Sequence, residues 1–106
     1  VKEKIFDSTL RIQILVILSM RESITFTELK KMLDASDGNL SVHLRKLEDM
    51  NFVTVEKRFE GRKPQTTYRL TGAGRKEFIA HLNKMEEILK HLKEANDGDN
   101  RSKESL

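Results

Sequence analysis

A chain of 106 residues with 37% hydrophobic and 35% charged side chains can build one domain around a single modest core, with little apolar surface to spare. The absence of cysteine excludes disulfides, a thiolate nucleophile and a cysteine metal site, and fits a reducing cytoplasmic setting. The longest apolar run, 14–18, is far too short for a membrane span, and nothing at the start reads as a signal peptide. Net charge is only +3, but it is unevenly placed: residues 54–76 carry seven cationic side chains against Glu56 and Glu60, a surplus of five. Such a patch is the electrostatic footprint of a phosphate-contacting surface. Its plainer explanation is a solvated hairpin whose lysines and arginines guard the sheet edge.

Asp7 or Ser8 can cap a first helix running to about Arg21. Its residues Leu10, Ile12, Ile14, Leu15, Val16, Ile17 and Leu18 cover most of the circumference, so one side asks for cover from a second chain. Residues 23–26 are β-prone and predict a stub that pairs with a later hairpin. Thr27 is expected to cap a second helix, Glu28 to about Leu33, with Leu29, Met32 and Leu33 facing inward. Asp34-Ala35-Ser36 then breaks that helix and starts the next, which makes a helix-turn-helix.

In the third helix Leu40, Leu44 and Leu47 form a buried stripe at i, i+4, i+7. The opposite face holds Gly38, Val42, Arg45 and Asp49, flanked by Asn39, Ser41 and Lys46. Asn51 is suited to a left-handed cap after Met50. Two strand-like runs follow, Phe52 to Phe59 and Gln65 to Leu70, around a charged turn, Glu60 to Pro64, with Pro64 at the turn. Thr71 is placed to cap a last helix from about Ala73 to Leu92, where Phe78, Leu82, Met85, Leu89 and Leu92 make a seam. Residues 95–106 lack apolar periodicity and predict a disordered tail, leaving a domain over 1–94. The predicted class is α+β and mostly helical: a winged helix-turn-helix with a three-stranded sheet and a long C-terminal dimerisation helix. In that layout the third helix enters the DNA major groove.

The run Ser41-Val42-His43-Leu44-Arg45-Lys46-Leu47 resembles the recognition helix of ArsR-type regulators. The stretch Gly61 to Arg75, with Tyr68-Arg69-Leu70-Thr71-Gly72-Ala73-Gly74-Arg75, resembles the wing and helix entry of small winged helix regulators of the ArsR and MarR superfamily, many of them archaeal. The likeness spans roughly Leu10 to Leu92 and departs at Asn51, where the family usually has glycine. It implies a homodimeric transcriptional regulator that binds double-stranded DNA. Asn39, Ser41, Val42, Arg45 and Lys46 would meet the major groove, and Arg62 and Lys63 the minor groove or backbone, with Lys57 and Arg58 on phosphates. Leu10, Ile14, Phe78, Leu82, Met85, Leu89 and Leu92 would form the dimer interface.

His43, at the edge of the leucine stripe, reads as a packing residue that hydrogen-bonds a neighbouring helix. His81 and His91-Leu92-Lys93-Glu94 approach an ArsR-type metal pattern but miss its spacing by one residue, so no metal or other cofactor is assigned. No phosphate loop, paired carboxylates or nucleophile with its base is present, so no enzyme is expected. An effector is neither indicated nor identified by these residues. The rival reading is a winged helix used for protein contacts, which the third helix's slight negative charge keeps open.

Overall fold

The computed structural model describes residues 2–104, with side chains from 4 to 97. Residues 1, 105 and 106, the last two belonging to the expected tail, lie outside the described residues. A 3-10 helix at Lys2–Asp7 leads into α1 (Thr9–Met20), β1 (Ile24–Thr25), α2 (Phe26–Leu33), α3 (Asp37–Asp49), β2 (Val53–Glu60), β3 (Lys63–Leu70) and α4 (Gly72–Glu104). The chain divides into two units, residues 1–75 and 76–106, the first holding the helix-turn-helix and the sheet.

Local chemistry sets most boundaries in the first unit. Ser8 caps α1 by accepting from the Arg11 amide. Thr25, rather than Thr27, caps α2: its hydroxyl accepts from the Glu28 amide at 3.1 Å. The Thr25-x-x-Glu28 spacing is that of a capping box, which outweighs the next threonine along. Met32, expected to face inward, is about half exposed, while Leu29 is fully buried. Asp34 ends α2 in the left-handed region (φ 49°), and Ser36 restarts the chain by capping α3. A surface ion pair, Lys30–Asp37 at 2.8 Å, bridges the turn but adds little in solvent.

The core of the first unit is apolar and tight. Ile14, Leu15 and Leu18 of α1, Leu29 of α2, and Leu40, Leu44 and Leu47 of α3 are fully or almost fully buried with Ile24, Phe52 and Val53. Each such side chain contributes about 1.5–3 kcal/mol on burial. Ile14 is therefore core, not dimer surface as its place in the apolar first helix suggested, because one chain already covers it. Phe78 is only 1% exposed, which does not fit its expected place in the interface. Leu10 is half-buried.

The sheet order is β1-β3-β2, all antiparallel, with Ile24 opposite Tyr68 and Val53 opposite Leu70. The hairpin closes in two residues, Gly61 and Arg62, since Glu60 pairs with Lys63. Pro64 thus lies in β3 opposite Phe59 rather than in the turn. Gly61 has φ 67° at the first central position, where a type II′ hairpin turn needs glycine, and this tight turn needs no proline.

Between α3, β2 and α4 the backbone is fastened by a dense junction. Asn51 takes the left-handed conformation (φ 60°) in the place of a glycine, and the Phe52 amide donates to Leu47 O at 2.8 Å. The Thr71 amide donates to Phe52 O at 2.9 Å, and its hydroxyl donates to Asn51 O at 2.7 Å while accepting from the Gly74 amide at 2.8 Å. That fold brings Gly74 so close that a Cβ there would sit 2.5 Å from Phe52 O and 2.8 Å from its Cα. α4 then continues to Glu104, past the end expected at about Leu92 and into the stretch expected to be disordered. Gly74→Ala is expected to cost about 1–3 kcal/mol, since backbone must move to admit the methyl. A urea midpoint equal to wild type would show the junction to be softer than this geometry.

Candidate nucleic-acid interface

Burying Leu40, Leu44 and Leu47 leaves the other side of α3 to solvent. Asn39, Ser41, Val42, Arg45 and Lys46 are all exposed, as their spacing predicts. They do not form one cluster. Ser41 and Arg45 line an open groove with Glu48, Phe26 and the hairpin residues Val55, Lys57, Thr66 and Tyr68. Lys46, about 100° further round the helix, borders a separate apolar hollow with Lys4, Ile5, Arg11, Asp49 and Met50.

Strand alternation sorts the wing in the same way. Val53, Val55, Lys57 and Phe59 share one face with Pro64, Thr66, Tyr68 and Leu70. Its inner end is buried, and its outer end continues the groove beside α3. Glu56, Arg58, Glu60, Lys63, Gln65 and Arg69 lie on the other face, so Lys57 and Arg58 point opposite ways. There Arg58 Nε donates to Glu56 at 2.8 Å, which raises the guanidinium pKa, and Arg69 is bonded to Glu22 at 3.1 Å. Arg45, Lys46, Lys57, Arg62 and Lys63 make no ion pair among the described residues. The cationic surplus of the hairpin is thus partly neutralised on its outer face and left open on the α3 side and at the tip.

The placement of α3 depends on Arg11, which is 6% exposed. Its Nε donates to Ile5 O and its Nη2 to Lys4 O, both at 2.8 Å, and its Nη1 donates to His43 Nδ1 at 2.9 Å. An arginine can only donate, so Nδ1 accepts and the ring is neutral with its proton on Nε2. The expected packing bond of His43 to a neighbouring helix is therefore present. Burial holds the His43 pKa below the ordinary imidazole value, and the charges of Arg11 and Lys46 act in the same direction. Arg11 is the positioning residue that sequence reasoning missed. Its signal was available: it is the lone charged side chain of α1.

On α4, Ile79, Leu82, Met85, Ile88, Leu89 and Leu92 are between 41% and 57% exposed, an apolar stripe left uncovered by the single chain. His91 lies 3.8 Å from Glu87 and 4.0 Å from Glu94. No cluster of three or more candidate ligands is poised for a metal ion among the described residues. No described helix is long and apolar enough to cross a membrane.

A helix-turn-helix with an exposed polar third helix and a cationic hairpin beside it defines a DNA-binding protein of winged helix type. The chain belongs to the winged helix DNA-binding domain family, whose model matches residues 10–89. It is 35% identical over 89 residues to an uncharacterized protein of Methanocaldococcus jannaschii, covering 84% of this chain and 97% of the relative. A transcriptional regulator homologue from Pyrococcus horikoshii OT3 is similar in structure, with a TM-score of 0.74 and 28% identity over 85% of this chain and 94% of that one. The fold is also that of a mutant MarR from E. coli solved with operator DNA, with a TM-score of 0.61 and 22% identity over 69% of this chain and 51% of that one. Family and fold are those of transcriptional regulators, not of an enzyme.

A histidine held below its ordinary pKa adds stability that is complete above the unfolded value of 6.5 and is lost as the pH falls through the folded value. Wild type should therefore lose stability relative to His43→Gln, whose amide oxygen can accept from Arg11 without titrating, as the pH drops from about 7 to 5. Urea unfolding across that range checks it, and parallel curves for the two proteins would show that His43 is not linked to folding.

Proposed function

We propose that the protein is a sequence-specific regulator of transcription that binds double-stranded DNA as a homodimer and works in the cytoplasm. α3 enters the major groove and the wing lies on the minor groove and backbone. The observation that carries this reading is that Ser41 and Arg45 of α3 and Lys57 of β2 line one open groove. Neither Arg45 nor Lys57 makes an ion pair among the described residues, although Glu48 also lines the groove.

The roles divide by chemistry. Arg45 can make a bidentate contact to a guanine edge, and Asn39, Ser41 and Val42 are short enough to let the helix approach bases. Lys46, turned from the wing, is assigned to the flanking backbone. Lys57, Arg62, Lys63 and Arg58 supply phosphate contacts, Arg58 by exchanging Glu56 for a phosphate. Arg45→Ala is expected to relax selectivity at one base position per half-site, at a cost of about 1–3 kcal/mol against the preferred site. Arg62→Ala should weaken binding to all sequences alike and lower the salt slope by about 0.9. Anisotropy titrations at several salt concentrations separate the two, and an unchanged affinity and slope for Arg62→Ala would remove the wing from the interface.

The homodimer reading rests on the uncovered stripe from Ile79 to Leu92. Apolar side chains repeated along one helix at this exposure are what a second copy would cover. Two copies so joined would set two α3 helices in successive major grooves, roughly 34 Å apart. Sedimentation of the wild type at micromolar concentration should show a dimer, and Leu89→Lys a monomer. A monomeric wild type would exclude the dimer.

A further inference from the structure

We infer that Phe59 and Pro64 form an apolar wedge at the end of the wing that enters the DNA minor groove and bends the duplex. The inference rests on the DNA-binding reading and adds to it a contact of a different kind. Phe59 is 77% exposed, the most exposed large apolar side chain among the described residues. It sits directly opposite Pro64, also exposed, one residue pair inside the Gly61-Arg62 turn. An aromatic ring left to water at the tip of a two-stranded ribbon does nothing for the core, which ends at Val53, Val55 and Tyr68. The tight glycine turn and the Pro64 ring both stiffen the ribbon there, so the ring is presented by a rigid support.

Its surroundings identify the occupant. Phe59 shares its strand face with Lys57, two residues inward and so about 7 Å away, and with Thr66. Arg62 and Lys63 stand just beyond it at the turn. An apolar ring flanked by Lys57 and Arg62, with Glu60 beside it, suits a duplex, whose minor groove is walled by sugars and rimmed by phosphate. Phe59 also borders the shallow groove on the ribbon's other face, with Glu56, Arg58, Glu60 and Gln65, as expected at a narrow tip reachable from both sides. Side chains of this type unstack a base step and kink the helix toward the major groove. The wedge thus makes recognition depend on how easily the flanking step opens, and flexible pyrimidine–purine steps should be preferred where the wing lands.

The test uses the full chain and a duplex enriched by it from a random pool, labelled at both ends for energy transfer. Phe59→Ala is expected to weaken binding about tenfold with an unchanged salt slope and to straighten the bound duplex, since no charge is removed. Phe59→Leu, which keeps the apolar bulk, should retain most of the affinity and the bend. Because the ring is exposed, the variants should unfold at the wild-type urea midpoint, and circular dichroism confirms that they fold. Wild-type affinity and bend in Phe59→Ala would overturn the wedge while leaving DNA binding intact. A change in oligomeric state with DNA affinity preserved would place the ring in a protein interface and overturn it as well. If the wild type enriched no duplex at all, it is the DNA-binding reading that would fail.

Discussion

The Arg11 guanidinium is buried and makes no ion pair among the described residues, and it is satisfied by two carbonyls of the 3-10 helix and by the His43 ring. Removing such a charge from water is costly, and only charge-assisted bonds of good geometry offset that cost. Three short bonds from one planar group leave little freedom to the parts they join. The 3-10 helix, α1 and α3 are therefore held in one mutual arrangement, and the exposed face of α3 is aimed by it. The leucine stripe alone would bury α3 but would tolerate rotation and sliding, because apolar contact is not directional. The polar staple supplies direction.

With α3 aimed, the hairpin determines the electrostatics. Alternation along β2 places Lys57 toward the groove beside α3 and Glu56, Arg58 and Glu60 on the opposite face, so the acidic residues of the wing lie away from α3. α3 itself carries Asp37, Glu48 and Asp49 against Arg45 and Lys46 and does not attract a polyanion by charge. In the proposed reading affinity and selectivity belong to different elements: the wing would draw in DNA through charge, and the helix would read it through shape and hydrogen bonds. The junction of Asn51, Phe52, Thr71 and Gly74 ties both elements to the start of α4.

Much of this was legible in the sequence because it follows from local rules. The i, i+4, i+7 spacing of Leu40, Leu44 and Leu47 has one helical solution, and Ser36, Asn51 and Thr71 act on backbone groups within a few residues. What escaped reading depended on partners distant in sequence or on register. Thr25 and Thr27 both look like caps until the strand-to-helix transition is located. Pro64 looked like a turn residue because the two-residue turn that Gly61 permits was not distinguished from a longer one. Ile14 and Phe78 carry no sign of whether their own chain or a partner covers them. Gly74 passed as a helix entry, since its close approach to Phe52 exists only in three dimensions. The recognition face of α3 was visible as a set, but its split between the wing side and the side of Lys46 required the sheet.

The central claim is a two-part reader used twice in a symmetric assembly. Selection of bound duplexes from a random pool, followed by hydroxyl-radical footprinting and guanine-N7 methylation interference on the winner, tests it most directly. The predicted result is an enriched pseudo-palindrome whose half-sites lie about 10 base pairs apart. Interference should fall at a major-groove guanine in each half, with minor-groove protection outside it. Binding without any enriched sequence, or protection confined to a single half-site, would contradict the account.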